Sequence, residues 1–314
     1  MAAHIPGIHH VTAIATDPQR NLDFYTQILG LRLVKQTVNF DDPGTYHFYF
    51  GDETGRPGTI LTFFSWPLAR RGSRGTGQVT ATSFSVPEGS LGMWSDRLRR
   101  EGVIAEEVKQ RFDEEVLTLL DPDGLKLELV AQKGADSLPF WAGGRLPETM
   151  AVRGFHGVTL ALEGYETTAD LLTGVMGFQH VAEERNRFRF TVDSPGPGVL
   201  VDLLCSPDTA RGQVAAGTVH HVAFRVGSNE DQLECRKILA DRGMNVSPVL
   251  DRNYFRSIYF REPGGALFEI ATDPPGFTDD EASEDLGSSL KLPEWLEPQR
   301  RLIEASLPEL VLPE

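Results

Sequence analysis

Two short runs near opposite ends of the chain carry paired imidazoles: Gly7-Ile8-His9-His10-Val11-Thr12 and Val219-His220-His221-Val222-Ala223-Phe224. Each doublet lies in a β-rich stretch and is followed by valine. Neutral imidazole is the commonest metal ligand among side chains, so two doublets in matching contexts point first to a metal centre. A carboxylate completes the set. Glu269 lies within Gly264-Gly265-Ala266-Leu267-Phe268-Glu269-Ile270, and on a strand it shares a face with Leu267 and Ala271. A carboxylate among apolar neighbours is costly unless it is paired or bound to a cation. Two imidazoles and one carboxylate leave adjacent coordination positions open, the facial set of non-haem Fe(II) oxygenases. Adjacent strand residues point to opposite faces, so only one histidine of each doublet should bind. Spacing alone does not say which. A lone strand histidine is usually a hydrogen-bonded core residue; recurrence in two equivalent places favours the metal reading.

The elements that must bring these residues together are legible as a repeat. Gly154-Phe155-His156-Gly157-Val158-Thr159 aligns with Gly7 to Thr12, and the same offset carries Leu29-Gly30-Leu31 onto Met176-Gly177-Phe178. At a second constant offset, Arg100-Glu101-Gly102 matches Asp241-Arg242-Gly243, and Asp121 to Glu128 matches Glu262 to Glu269. The order A, B, A′, B′ implies duplication of an already doubled unit, with units starting near residues 8, 79, 154 and 219. Each reads as strand, helix, then further strands. In the first, Asp17-Pro18 starts a helix, Leu22, Tyr25 and Leu29 recur at helical spacing, and Gly30 stops it. Strands are expected over 31–38, 45–51 and 58–65, separated by turn formers.

The expected fold class is therefore α+β: four βαβββ modules paired into two curved mixed-sheet barrels. Modules one and two should occupy 1–134 and modules three and four 150–275, with a linker over 134–150. An acidic, proline-punctuated extension follows over 276–314, with a short helix near 294–306. The ligand positions imply that modules one and four, rather than one and two, share the metal site, with His156 of module three as the competitor to His10. Elsewhere the repeat has lost ligands. His156 falls on His9 and Gly157 on His10, while Glu128 falls on Glu269 but its unit begins Val79-Thr80-Ala81. Glu128 thus reads as a structural or surface carboxylate, and His4, His47 and His180, which carry no pattern, as surface or loop residues.

Composition sets the outer bounds. A chain of 314 residues with a net charge of −15 and no basic run is a poor partner for nucleic acid or anionic membranes. No apolar run is long enough for a transmembrane helix, and the N-terminal residues lack the pattern of an export signal. Cys205 and Cys235 form no metal-ligand or disulfide pattern, and a reducing cytoplasm is expected.

Four βαβββ units with these ligands resemble the vicinal oxygen chelate superfamily. Within it, the two histidine runs and Asp251-Arg252-Asn253-Tyr254-Phe255-Arg256-Ser257-Ile258-Tyr259-Phe260 resemble the dioxygenases that cleave hydroquinone and chlorinated hydroquinone rings. The resemblance implies His10, His221 and Glu269 as metal ligands, with His9 and His220 beside them or on the outer face. It also implies supporting roles for His9, Thr12, His220, Arg252 and Tyr259. The implied metal is Fe(II), with Mn(II) as the alternative. The partners are a small aromatic substrate and O2, and exposed edge strands are compatible with a homo-oligomer. Two other readings stay open. A glyoxalase-like isomerase or lyase would need a fourth protein ligand, and a metal-free binding or resistance protein of this fold would lack the histidine and glutamate set.

Overall fold

The computed structural model describes residues 4–194 and 196–312. The first unit comprises β1 (Ile8–Ala15), α1 (Pro18–Asp23), β2 (Arg32–Asn39), β3 (Asp42–Gly51) and β4 (Ile60–Ser65). The second has β5 (Gln78–Pro87), α2 (Leu91–Arg100), β6 (Lys109–Arg111), β7 (Glu114–Leu120) and β8 (Lys126–Gln132). The third runs through β9 (Phe155–Leu162), α3 (Glu166–Gly174), β10 (Gln179–Glu184), β11 (Arg187–Thr191) and β12 (Leu200–Cys205). The fourth has β13 (Val219–Val226), α4 (Asn229–Asp241), β14 (Leu250–Asp251), β15 (Arg256–Arg261) and β16 (Leu267–Thr272). Four βαβββ units are present. At the start of α1 the Asp17 side chain accepts the Arg20 amide, which satisfies one of the free first-turn donors. The stretch expected as one helix then widens into a π-helical turn over Phe24–Ile28. Gly30 ends it at φ +69°, a conformation that costs glycine nothing.

Two eight-stranded mixed sheets result. One has the order β14-β15-β16-β13-β1-β4-β3-β2 and the other β10-β11-β12-β9-β5-β8-β7-β6. Units one and four therefore build one sheet, and units two and three the other. In each, the first strands of two units meet antiparallel at the centre, β1 with β13 and β5 with β9. One continuous apolar core joins the helices of all four units to the backs of both sheets.

Beyond β16 the chain returns to the first sheet as a strap. Leu290 bridges to Gln36 on β2, and the Lys291 amide donates to the Gln36 carbonyl. This covers part of an edge strand that would otherwise offer unpaired backbone groups. Lys35, fully buried, pairs with Asp280 at 2.6 Å and with Glu281. The strap ends in a short helix, α5 (Arg300–Ser306). Among the described residues no helix is long and apolar enough to cross a membrane.

Candidate metal centre and substrate cavity

His10, His221 and Glu269 come from β1, β13 and β16, three strands that are neighbours in one sheet. All three side chains are buried. His10 Nε2 lies 3.3 Å from His221 Nε2 and 3.4 Å from Glu269 Oε2, and His221 Nε2 lies 2.9 Å from Glu269 Oε2. Ligands about 2.1 Å from an octahedral ion stand about 3.0 Å apart, so these separations fit a shared cation. The carboxylate shows the same thing from its own side. Oε1 accepts from Ser257 Oγ, whereas Oε2, wholly buried, has no hydrogen-bond partner despite the two nearby nitrogens. Three ligand atoms converge on a point that one ion could occupy. Burial alone would raise the Glu269 pKa, but the adjacent His10 and His221 outweigh it and hold the carboxyl well below its usual range.

The doublets depart from simple strand alternation. Along β1 the register with β13 passes from Ile8↔Phe224 to His10↔Ala223, and later from Thr12↔His221 to Ala13↔Val219. His9 and His220 are each the extra residue of a β-bulge, which turns neighbouring side chains toward the same side. Neither therefore reaches the outer face. His9 Nδ1 lies 2.9 Å from His10 Nδ1, and His220 Nδ1 lies 2.7 Å from His221 Nδ1. Burial, helped by the neighbouring imidazole, lowers the His9 pKa well below its usual value and that of His220 to about 3. Both are neutral near pH 7, so each can accept at Nδ1 and leave the partner's Nε2 free for the ion.

The triad opens into a cavity of about 280 Å³, at the small end for ligand pockets. Phe40, Phe64, Trp66 and Phe255 supply aromatic walls, and Thr12, His220, Arg252 and Tyr259 supply polar groups. Arg252 Nε donates to the Tyr259 hydroxyl at 3.3 Å, and its NH1 reaches Asp41 Oδ2 at 3.2 Å across the cavity. Burial raises the Tyr259 pKa, so the phenol stays protonated. His9 stands behind His10, against Phe255. His47, expected on the surface or in a loop, instead lies on β3 and lines the cavity. Tyr49 and Phe64 join it there, and neither carries a repeat pattern in the sequence. The signal was the alternation Tyr46-His47-Phe48-Tyr49-Phe50, in which Phe48 and Phe50 fill the core and His47 and Tyr49 share the opposite face.

The other sheet shows what becomes of the unit without ligands. Glu128 is fully buried and gripped by both NH groups of Arg111 at 2.7 Å, with Ser83 Oγ at 2.7 Å. His156, on β9 of the other sheet, pairs with Glu114 at 2.7 Å and does not join the triad. A Cβ on Gly157, which matches His10, would lie 2.4 Å from the Leu200 carbonyl oxygen, so no histidine fits there.

Comparison with known proteins follows the same lines. The profile described as Glyoxalase/Bleomycin resistance protein/Dioxygenase superfamily matches residues 7–129 and 154–270. The chain belongs to this superfamily. Two relatives of the superfamily span almost the whole chain. One, named "Putative ring-cleaving dioxygenase MhqO" in Bacillus subtilis, is 50% identical over 98% of this chain and 97% of its own. Another, the chlorohydroquinone/hydroquinone 1,2-dioxygenase of Sphingobium indicum, is 34% identical over 93% of each chain. The crystal structure of a "putative dioxygenase" from Bacillus subtilis superposes with a TM-score of 0.95 at 48% identity, covering 100% of both chains. Glyoxalase I from Zea mays shares the fold alone, with a TM-score of 0.62 at 13% identity, covering 85% of this chain and 92% of its own.

Proposed function

We propose that this chain is a ring-cleaving dioxygenase that inserts O2 into hydroquinone-type rings, chlorinated ones included, with His10, His221 and Glu269 holding Fe(II), or Mn(II) in its place. The observation that carries this reading is the convergence of three metal-ligand atoms on the wall of a small aromatic cavity. The names of the two relatives support ring cleavage and, in one case, the substrate class. The bound ion would favour the phenolate form of a ring hydroxyl and keep open positions for the ring oxygen and O2.

The chain's own groups supply the rest. His10 and His221 bind through Nε2, and their Nδ1–H groups donate to His9 and His220, which fixes tautomer and ring orientation. His220, lining the cavity with Nδ1 already engaged, keeps an Nε2–H for the ligand. The Arg252 guanidinium stabilises negative charge on the ring oxygens, and Asp41 and Tyr259 hold it in place. Protonated Tyr259 serves as a donor beside Glu269, its cross-strand partner. Phe40, Phe64, Trp66 and Phe255 exclude water and stack against the ring.

A glyoxalase-like isomerase would draw on a fourth protein ligand, and among the described residues the cluster has three members. Anaerobic reconstitution with Fe(II), followed by O2 uptake on a panel of hydroquinones and catechols, tests the proposal. One O2 consumed per ring cleaved is expected, with metal retained by the wild type and lost from Glu269→Ala. Turnover under argon, or a wild-type chain that holds no metal, would overturn it.

A further inference from the structure

Outside the metal ligands, a row of hydroxyls crosses the cavity face of the first sheet. Tyr49 stands opposite Thr62, Thr62 opposite Thr12, and Thr12 opposite His221, on the consecutive strands β3, β4, β1 and β13. His47, two residues before Tyr49 and on the same face, ties the row together. The Tyr49 hydroxyl lies 3.1 Å from His47 Nδ1, His47 Nε2 lies 2.7 Å from Thr62 Oγ1, and Thr62 Oγ1 lies 3.1 Å from Thr12 Oγ1. Thr12, at the end of the chain, lines the cavity beside His10 and His221.

Such a chain has one polarity at a time, because a neutral imidazole donates from one nitrogen and accepts at the other. Burial keeps the His47 ring neutral and the Tyr49 phenol protonated. A buried phenol is a stronger donor than a threonine hydroxyl, so the Tyr49 O–H donates to Nδ1. Nε2–H must then donate to Thr62, and the Thr62 O–H to Thr12. The Thr12 O–H is the donor left over, and Thr12 lines the cavity.

We propose that His47 is a positioning residue: acting through Thr62, it orients the Thr12 hydroxyl as a fixed hydrogen-bond donor to an oxygen anion bound at the metal centre. This deepens the dioxygenase reading, since a ring oxygen bound as phenolate is the ligand such a donor fits. A donor already aimed at an anion costs no reorganisation when the charge arrives.

The probe is 4-nitrophenol, whose phenolate is visible by its absorbance, titrated into the Fe(II)-loaded protein under argon across a range of pH. The wild type should bind the phenolate and lower the probe's apparent pKa. Thr62→Val, which keeps the shape and removes the link, should weaken phenolate binding by roughly tenfold, the scale of one hydrogen bond to a charged group. Thr12→Val should lose the same amount, and the Thr12→Val/Thr62→Val pair little more than either alone. Tyr49→Phe should give a smaller loss in the same direction, and His47→Phe a loss like that of Thr62→Val. If His47→Phe does not fold, the Thr62 and Tyr49 variants still decide. Phenolate binding by Thr62→Val within twofold of wild type, additive losses in the pair, or no 4-nitrophenol binding by the wild type overturns the relay. Absence of O2 uptake by the wild type sinks the dioxygenase reading instead, and the phenolate titration still judges the relay.

Discussion

The second sheet offers a sharp test of how a site without its histidines is stabilised. Glu128 has no exposure, and Arg111 meets both of its oxygens at 2.7 Å. Burial would raise its pKa, but Arg111 reverses this and brings it from 4.5 to about 2. At about 1.4 kcal/mol for each tenfold change in affinity for the proton, that depression stabilises the fold by about 3 kcal/mol at neutral pH. The value matches the usual cost, about 3–5 kcal/mol, of removing one partner from a buried ion pair. Arg111→Met should therefore lose about 3 kcal/mol in urea unfolding at pH 7.5, near the low end because Lys126 at 3.5 Å still faces the carboxylate. Since the folded pKa lies below the unfolded one, wild type holds this advantage above about pH 4.5 and loses it as pH falls toward 2. The defect of Arg111→Met should shrink accordingly in acid. Replacing the pair together, Arg111→Met with Glu128→Leu, should recover most of the loss. A single variant that costs less than about 1 kcal/mol, or a double variant as unstable as the single, would refute this account.

Three further outcomes are expected. Lys35→Met leaves Glu281 buried without its main partner and should cost about 3–5 kcal/mol, with faster proteolysis beyond residue 276 as the strap loosens; an unchanged cleavage rate would show that other contacts hold the strap. Asp121, buried beneath the Tyr25 hydroxyl, has its pKa raised by burial from 3.8 to about 6, so its contribution is favourable in acid and is lost as pH rises through 6. Asp121→Asn should therefore gain on wild type by about 2.5 kcal/mol between pH 4 and pH 7.5, and a pH-independent difference in thermal unfolding would contradict the assignment. Arg252→Lys keeps the charge but loses the planar fork that spans Tyr259 and Asp41, so O2 uptake on hydroquinone should fall by roughly tenfold or more, mostly in kcat.

The four units were legible because glycine turns, helix starts and acidic strand ends recur at fixed offsets. Glu269 was legible because a carboxylate between leucine, phenylalanine and isoleucine has few reasons to be there. The position of the first histidine in each doublet, beside the ligand or on the outer face, was not. Strict alternation would have sent His9 and His220 to the opposite face from His10 and His221, and only the bulges at those residues bring each pair to a common side. A bulge of this kind leaves no composition signature: Ile8-His9-His10-Val11 reads as an unbroken strand. His47 was invisible for a different reason. It has no counterpart in the repeat, and the aromatic residues around it signal the core they fill more strongly than the face they leave free.

The loss of the second site follows from the same logic, and it needs more than missing ligands. Retaining Glu128 while losing the histidines would leave a buried anion with no cation, a burden of several kcal/mol. Arg111 supplies the missing charge with a group that needs no open coordination position, and Gly157 lets the backbone of β12 close in where His10 stands in the other sheet. Once that gap has closed, restoring histidine at residue 157 would have to push Leu200 and its strand aside. The two changes act together: a guanidinium satisfies the carboxylate, and a side chain at residue 157 would meet the Leu200 carbonyl. Both sheets keep their β-bulges, at His9 and His220 in one and at Thr80 and His156 in the other, so the two differ in the ligands they carry and in the ion pair that stands in for them.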